Sequence, residues 1–136
     1  MITDAIDKAM YRAWEKEWDR TYWLIDMHHV VLTPDYSNMS VDYCNEHVVP
    51  ALKHLSQRDD IILIMWTRST PDACKYYENL LARDGITFDY INENPEVDNL
   101  NHADFSVKIY ANVILDDKAG FNPDRDWPLI RKYFEI

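Results

Sequence analysis

The stretch YWLIDMHHVVL, residues 22–32, decides the fold. Tyr22, Trp23, Leu24 and Ile25 run unbroken into Asp26, and Val30, Val31 and Leu32 follow. So dense an apolar run predicts a strand buried on both faces, as at the centre of a parallel sheet. A carboxylate inside such a strand is costly to desolvate, which places Asp26 at its carboxyl end. Ligands of open α/β sheets bind at that end, so Asp26 becomes a candidate active-site residue.

Upstream, residues 3–20 predict a helix, with Thr3 or Asp4 as its cap. Ala5, Ile6, Ala9, Met10, Ala13, Trp14 and Trp18 recur at helical spacing and are expected to face the core. Downstream, residues 33–44 begin at Thr-Pro and read as a polar loop. Residues 46–57 predict a short helix with Val48, Val49, Leu52 and Leu55 on one face; Pro50 fits only if it falls in the first turn. IILIMW, residues 61–66, is a second buried strand ending at Thr67. Ser69-Thr70-Pro71 supplies a hydroxyl cap and a first-turn proline for a helix that runs to about Arg83 and stops at Gly85. Residues 86–91 predict a third strand and residues 92–104 a polar, irregular stretch. Residues 113–115 give a fourth strand that ends on Asp116-Asp117, and residues 127–134 a last helix. Strands alternating with helices imply an α/β fold: a doubly wound, Rossmann-like parallel sheet with helices on both faces. At 136 residues the chain is expected to form a single domain over residues 1–136, with residues 1–21 a helical extension packed on it.

Composition narrows the function classes. A net charge of −10 disfavours a broad nucleic-acid-binding surface. Two glycines, Gly85 and Gly120, are too few for a Gly-rich nucleotide-phosphate loop. Cys44 and Cys74 are too few for a disulfide framework and lack metal-ligand spacing, so they read as free thiols of a cytoplasmic protein. No stretch approaches the roughly 20 apolar residues of a membrane span, and the acidic start MITDAIDKAM is unlike a signal peptide.

The three buried strands end in polar residues, and in a parallel sheet those ends share one edge. Asp26 with His28, Thr67, and Asp116 with Asp117 are therefore expected to converge, with Lys108 close enough in sequence to join them. Clustered carboxylates repel one another, and a hard cation such as Mg²⁺ relieves that repulsion. One carboxylate is then free to act as a nucleophile toward a phosphorus atom whose oxygens are neutralised by the metal and the lysine.

The order and spacing of these residues resemble the haloacid dehalogenase (HAD) superfamily of phosphohydrolases, over roughly residues 22–121. WLIDMHHVV resembles the family's first motif, with Asp26 as nucleophile. IILIMWT resembles the second, closed by Thr67. Lys108 in SVKIYANVILDD falls where the third motif has its lysine, and Asp116-Asp117 matches the paired acids of the fourth. The resemblance implies a HAD-like fold and a Mg²⁺-dependent phosphohydrolase working through an aspartyl-phosphate at Asp26. Its metal ligands would be Asp26, Asp116, Asp117 and the backbone of His28. The chain is too short for a separate cap domain, so the expected substrate is a phosphorylated small molecule or a phosphate carried on a macromolecule.

One position departs from the pattern. His28 stands where most phosphatases of the family carry an aspartate that protonates the leaving oxygen and then activates water. Imidazole has the chemistry for both steps, whereas a neighbouring cation works against its protonated form. The alternative is therefore a catalytically reduced HAD-like binding protein. A small acidic-site nuclease fits less well, because Thr67 and Lys108 have no job there. A phosphoacceptor receiver domain is disfavoured because its paired acids come on the first strand, not the last.

Overall fold

A computed structural model describes residues 1–35 and 40–136 of the chain. Its centre is β1 (Thr21–Ile25), whose residues are buried apart from the half-buried Tyr22. β1 pairs in parallel on one side with β4 (Ile61–Met65), from Thr21 opposite Ile61 to Ile25 opposite Met65. On its other side it pairs in parallel with β6 (Val113–Leu115). The two-residue β5 (Tyr90–Ile91) flanks β4, giving the order β5-β4-β1-β6. Strand order runs outward from β1 to β4 and β5, then returns to β1's other edge. The reversal point thus lies between the ends of β1 and β6.

Among the described residues there are four α-helices, α1 (Ile2–Glu15), α2 (Val48–Ser56), α3 (Pro71–Arg83) and α4 (Pro123–Tyr133). Pro50 does fall in the first turn of α2, and Thr70 caps α3 by accepting the Ala73 N–H. Buried residues from all four helices, among them Ile6, Leu52, Tyr77 and Trp127, share one core with Trp23, Ile25, Leu63, Met65 and Leu115. The opposite sheet face carries Leu24, Ile62 and Ile64, against which pack Tyr22 and Tyr90 of the sheet itself and Ile109 and Ala111. The expectation of helices on both faces is corrected: residues 92–112, rather than a helix, cover the second face. Those residues are too polar and too rich in Asn and Asp to present a helical apolar stripe.

Other boundaries moved for identifiable reasons. α1 ends at Glu15 rather than Arg20. Glu17 takes the left-handed conformation (φ 57°), and the Trp18 N–H reaches back to the Ala13 carbonyl at 2.9 Å while that of Glu17 reaches Trp14. This is a Schellman stop made without glycine, so the sequence does not announce it. The apolar stripe leaves the core already in the last turn of α1, where Trp14 is 75 % exposed, and Trp18 beyond the stop is exposed as well. Residues 33–44 form, in their described part, a ribbon of β2 (Leu32–Asp35) paired antiparallel with β3 (Ser40–Tyr43) in place of a loop. Residues 36–39 of that expected loop lie outside the described residues. The third strand shrinks to Tyr90–Ile91 because the Asp89 carboxylate takes the Leu63 N–H at 2.9 Å, displacing a ladder carbonyl. The last helix begins earlier than expected, at Pro123, where Asn122 caps it by accepting the N–H groups of Asp124 and Arg125. Among the described residues no helix is long and apolar enough to cross a membrane.

α4 also braces the chain after Asp26. Trp127 is fully buried, packs edge-to-face on Phe121 at 5.3 Å, and donates its indole N–H to the Val30 carbonyl at 2.7 Å. Trp127→Phe keeps most of the packing but strands that buried carbonyl, which should cost about 1–3 kcal/mol; Trp127→Ala should cost about 3–5 kcal/mol. Urea unfolding of both variants checks this ordering. A phenylalanine variant as stable as the parent would show that the indole bond contributes nothing.

Candidate active site

Asp26 follows β1 and has its backbone held from both sides. Its N–H donates to the Leu115 carbonyl at 2.9 Å, and the Trp66 N–H donates to the preceding carbonyl of Ile25 at 2.9 Å. The Asp26 Oδ1 accepts the Met27 N–H at 2.8 Å. The chain then turns sharply. The buried Met27 offers its carbonyl to the N–H groups of Val31 and Leu32, both at 2.9 Å, and His29 sits at the left-handed φ of 66°.

Asp116 and Asp117 follow β6 on the neighbouring strand end. Asp116 caps a single 3₁₀ turn, Asp117–Ala119, by accepting the Lys118 N–H, and the turn closes on Gly120 at φ 102°. One oxygen from each of Asp26, Asp116 and Asp117 falls within 4.8 Å of the others, and all three residues are half-buried. Burial, repulsion from Asp116 and a hydrogen bond with Asp117 push the Asp26 pKa from 3.8 up to about 6. Three hard oxygen donors this close, half-shielded from water, suit an oxygen-seeking divalent cation.

Across the cleft stands Thr67, at the end of β4. Asn92 clamps it by two bonds: the Thr67 N–H donates to Asn92 Oδ1 at 2.8 Å, and Asn92 Nδ2 donates to the Thr67 carbonyl at 2.9 Å. Asn92 reaches this geometry at a left-handed φ of 55°. The Thr67 hydroxyl lies 2.9 Å from that of Ser69 and accepts the Ser69 N–H. The open cleft occupies about 830 Å³, and its lining includes Asp26, His28, Thr67, Asp116 and Asp117.

His28 lies beside the cleft with Nε2 2.7 Å from the hydroxyl of Tyr77, a buried residue of α3. Burial, reinforced by His29, holds the imidazole below its usual pKa, so it is uncharged at neutral pH. Lys108 is not brought to this site. It is exposed in the segment 92–112 and does not line the cleft. The reason is directional: Asn112, four residues later, exchanges hydrogen bonds with Tyr22 near the start of β1, the end opposite Asp26. The cations lining the cleft are Arg68 and Lys118. Sequence reasoning placed Ser69 only in the cap of α3 and gave no specific role to Trp66 or Asn92; only the position of Asn92 at a strand end hinted at its use.

The carboxylate cluster has a measurable cost. Folding raises the Asp26 pKa, so the stability it contributes is full below about 3.8 and is lost as pH rises through about 6. In EDTA, Asp26→Asn should therefore melt above the parent at pH 7 and approach it near pH 4. Parallel melting curves of the two proteins across that range would contradict a strained carboxylate at Asp26.

No family model matches the chain, and no curated protein matches it. Among solved structures it is similar to a conserved protein from Bacteroides thetaiotaomicron, at 23 % identity over 85 % of this chain and 90 % of that one, with a TM-score of 0.64. At that identity the likeness speaks to the fold alone: an α/β domain built on a parallel four-stranded sheet flanked by helices.

Proposed function

We propose that the chain is a Mg²⁺-dependent, HAD-like phosphohydrolase, a phosphoric monoester hydrolase that works through an aspartyl-phosphate at Asp26. The observation that carries this reading is the gathering of Asp26, Asp116 and Asp117 within 4.8 Å at the point where strand order reverses. Asp26, Asp116, Asp117 and the backbone carbonyl of His28 would hold the cation. When bound, Mg²⁺ supplies charge neutralisation to the phosphate oxygens and restores the ionised form of Asp26.

The residues of the chain divide the remaining work. A carboxylate oxygen of Asp26 forms a bond to phosphorus while the bond from phosphorus to the ester oxygen breaks, and that oxygen leaves with a proton taken from solvent in the open cleft. Water then attacks the aspartyl-phosphate, losing a proton, releasing inorganic phosphate and restoring the carboxylate. Thr67, fixed by Asn92, donates to the phosphoryl oxygens from across the cleft, and Arg68 and Lys118 offset their charge. Lys108 takes no part. His28 has Nε2 engaged by Tyr77, which leaves Nδ1 for proton transfer. Its uncharged state suits taking a proton from water better than giving one to the leaving group.

We read the domain as capless, since the hairpin of β2 and β3 and the segment 92–112 are its only long insertions among the described residues. The free thiols Cys44 and Cys74 fit a reducing, cytoplasmic setting. The low pKa of His28 and the distance of Lys108 from the cleft favour one second reading, a HAD-like binding protein with reduced catalysis.

Hydrolysis of a generic aryl phosphate separates the two. The parent should turn over with Mg²⁺, Asp26→Asn should not, and His28→Ala should slow the reaction roughly 10²–10⁴-fold. An inactive parent rescued by His28→Asp selects the reduced protein, and an active Asp26→Asn variant eliminates the aspartyl-phosphate. The metal is tested apart from activity. Mg²⁺ should raise the parent's melting temperature, because a ligand of the native state alone stabilises it, and should not raise that of Asp116→Asn/Asp117→Asn. Undiminished stabilisation in the double variant would place the ion elsewhere.

A further inference from the structure

The cleft contains an aromatic residue that the chemistry above does not use. Trp66 lines it beside Thr67 and is 37 % exposed, whereas Trp23 and Trp127 are fully buried in the core. Among the described residues no other ring stacks on Trp66 and no cation sits over it.

Its position relative to Asp26 follows from register. Ile25 pairs with Met65, so the next residues, Asp26 and Trp66, are cross-strand neighbours. Ile25 and Met65 belong to the helix-covered core, while Leu24 and Ile64 belong to the other face. Side chains alternate along a strand, which sends Asp26 and Trp66 to the face of Leu24 and Ile64. That face is covered by residues 92–112 rather than by a helix, and the cover leaves Trp66 open at the carboxyl edge.

From this placement we infer that the cleft binds a phosphate ester carrying a planar heteroaromatic ring, a nucleoside monophosphate, with the ring stacked on Trp66 while the phosphate lies at Asp26. Neighbouring strands stand about 4.8 Å apart, so a few atoms, such as a pentose, span the gap between the two groups. The cleft's 830 Å³ lies within the roughly 300–1,000 Å³ of pockets that enclose small ligands. Arg68 and Lys118 offset the phosphate charge in a cleft that otherwise holds three carboxylates. The inference names a substrate class for the site proposed above and rests on the phosphate binding there.

Binding separates the ring site from the chemistry. In an Asp26→Asn background with Mg²⁺, calorimetry should show adenosine 5′-monophosphate binding at least about fivefold more tightly than ribose 5-phosphate, the low end of a base–aromatic stack. Trp66→Ala in that background should bring the two affinities together, and Trp66→Phe, which retains a ring, should keep most of the difference. Equal affinities in the parent background, no binding of the nucleotide, or a preference that survives Trp66→Ala would each overturn the inference. Hydrolysis by the unsubstituted protein is scored apart. A ring preference without hydrolysis removes the phosphohydrolase and keeps the ring site. Hydrolysis of both compounds without a ring preference does the reverse.

Discussion

β1 is hydrogen-bonded along both edges, by β4 and by β6, and the rest of the molecule depends on that double pairing. It leaves the main chain at Asp26 little freedom: its own N–H is tied to Leu115, and the carbonyl before it to Trp66. The buried turn that follows is tied down in its own right by Met27 and Trp127. A side chain projecting from such a point has its position set by the sheet itself, the kind of rigid support a reactive group requires. The same pairing brings Asp116 beside Asp26, because β6 ends one strand away.

What the sheet brings together, electrostatics makes expensive. Burial first, and then the neighbouring carboxylates gathered within 4.8 Å, make the ionised form of Asp26 costly, and its pKa rises to about 6. Nothing in the packing requires it, since the core is complete without these groups and the helices contact the sheet elsewhere. Strain concentrated at the carboxyl edge of the sheet is the pattern of a site that trades stability for chemistry. Around it the left-handed conformations at His29 and Asn92 mark the two turns that frame the cleft. Each is a non-glycine residue held at a positive φ by hydrogen bonds, His29 through its N–H to Leu32 and Asn92 through bonds to Met65 and Thr67 on the neighbouring strand end.

The legible parts of the fold were those dictated by burial and by local chemistry. The apolar runs at residues 22–25 and 61–65 could be little else than central strands, and Thr70-Pro71 fixed the start of α3. Asp26, Thr67, Asp116 and Asp117 were legible for the same reason, as polar residues closing buried strands. What escaped either lacked its usual local signal or depended on distant partners. Glu17 ends α1 with no glycine to signal it, and Asp89 shortens β5 by bonding to Leu63, 26 residues away. Lys108 was close in sequence to β6 but stood at its wrong end, an error of direction that spacing alone does not reveal. Asn92 read as solvated loop because its role exists only once β4 and β5 lie side by side.

In the proposed reaction the Asp26 carboxylate is the group that bonds to phosphorus. This is tested most directly by acid-quenching the protein during turnover of a phosphate ester with Mg²⁺ and mapping the phosphoryl group by peptide mass analysis. The expected result is a phosphorylated peptide carrying the modification on Asp26, absent when Mg²⁺ is withheld. Sustained hydrolysis with no phosphorylated peptide, or with the phosphoryl group on another residue, would contradict it.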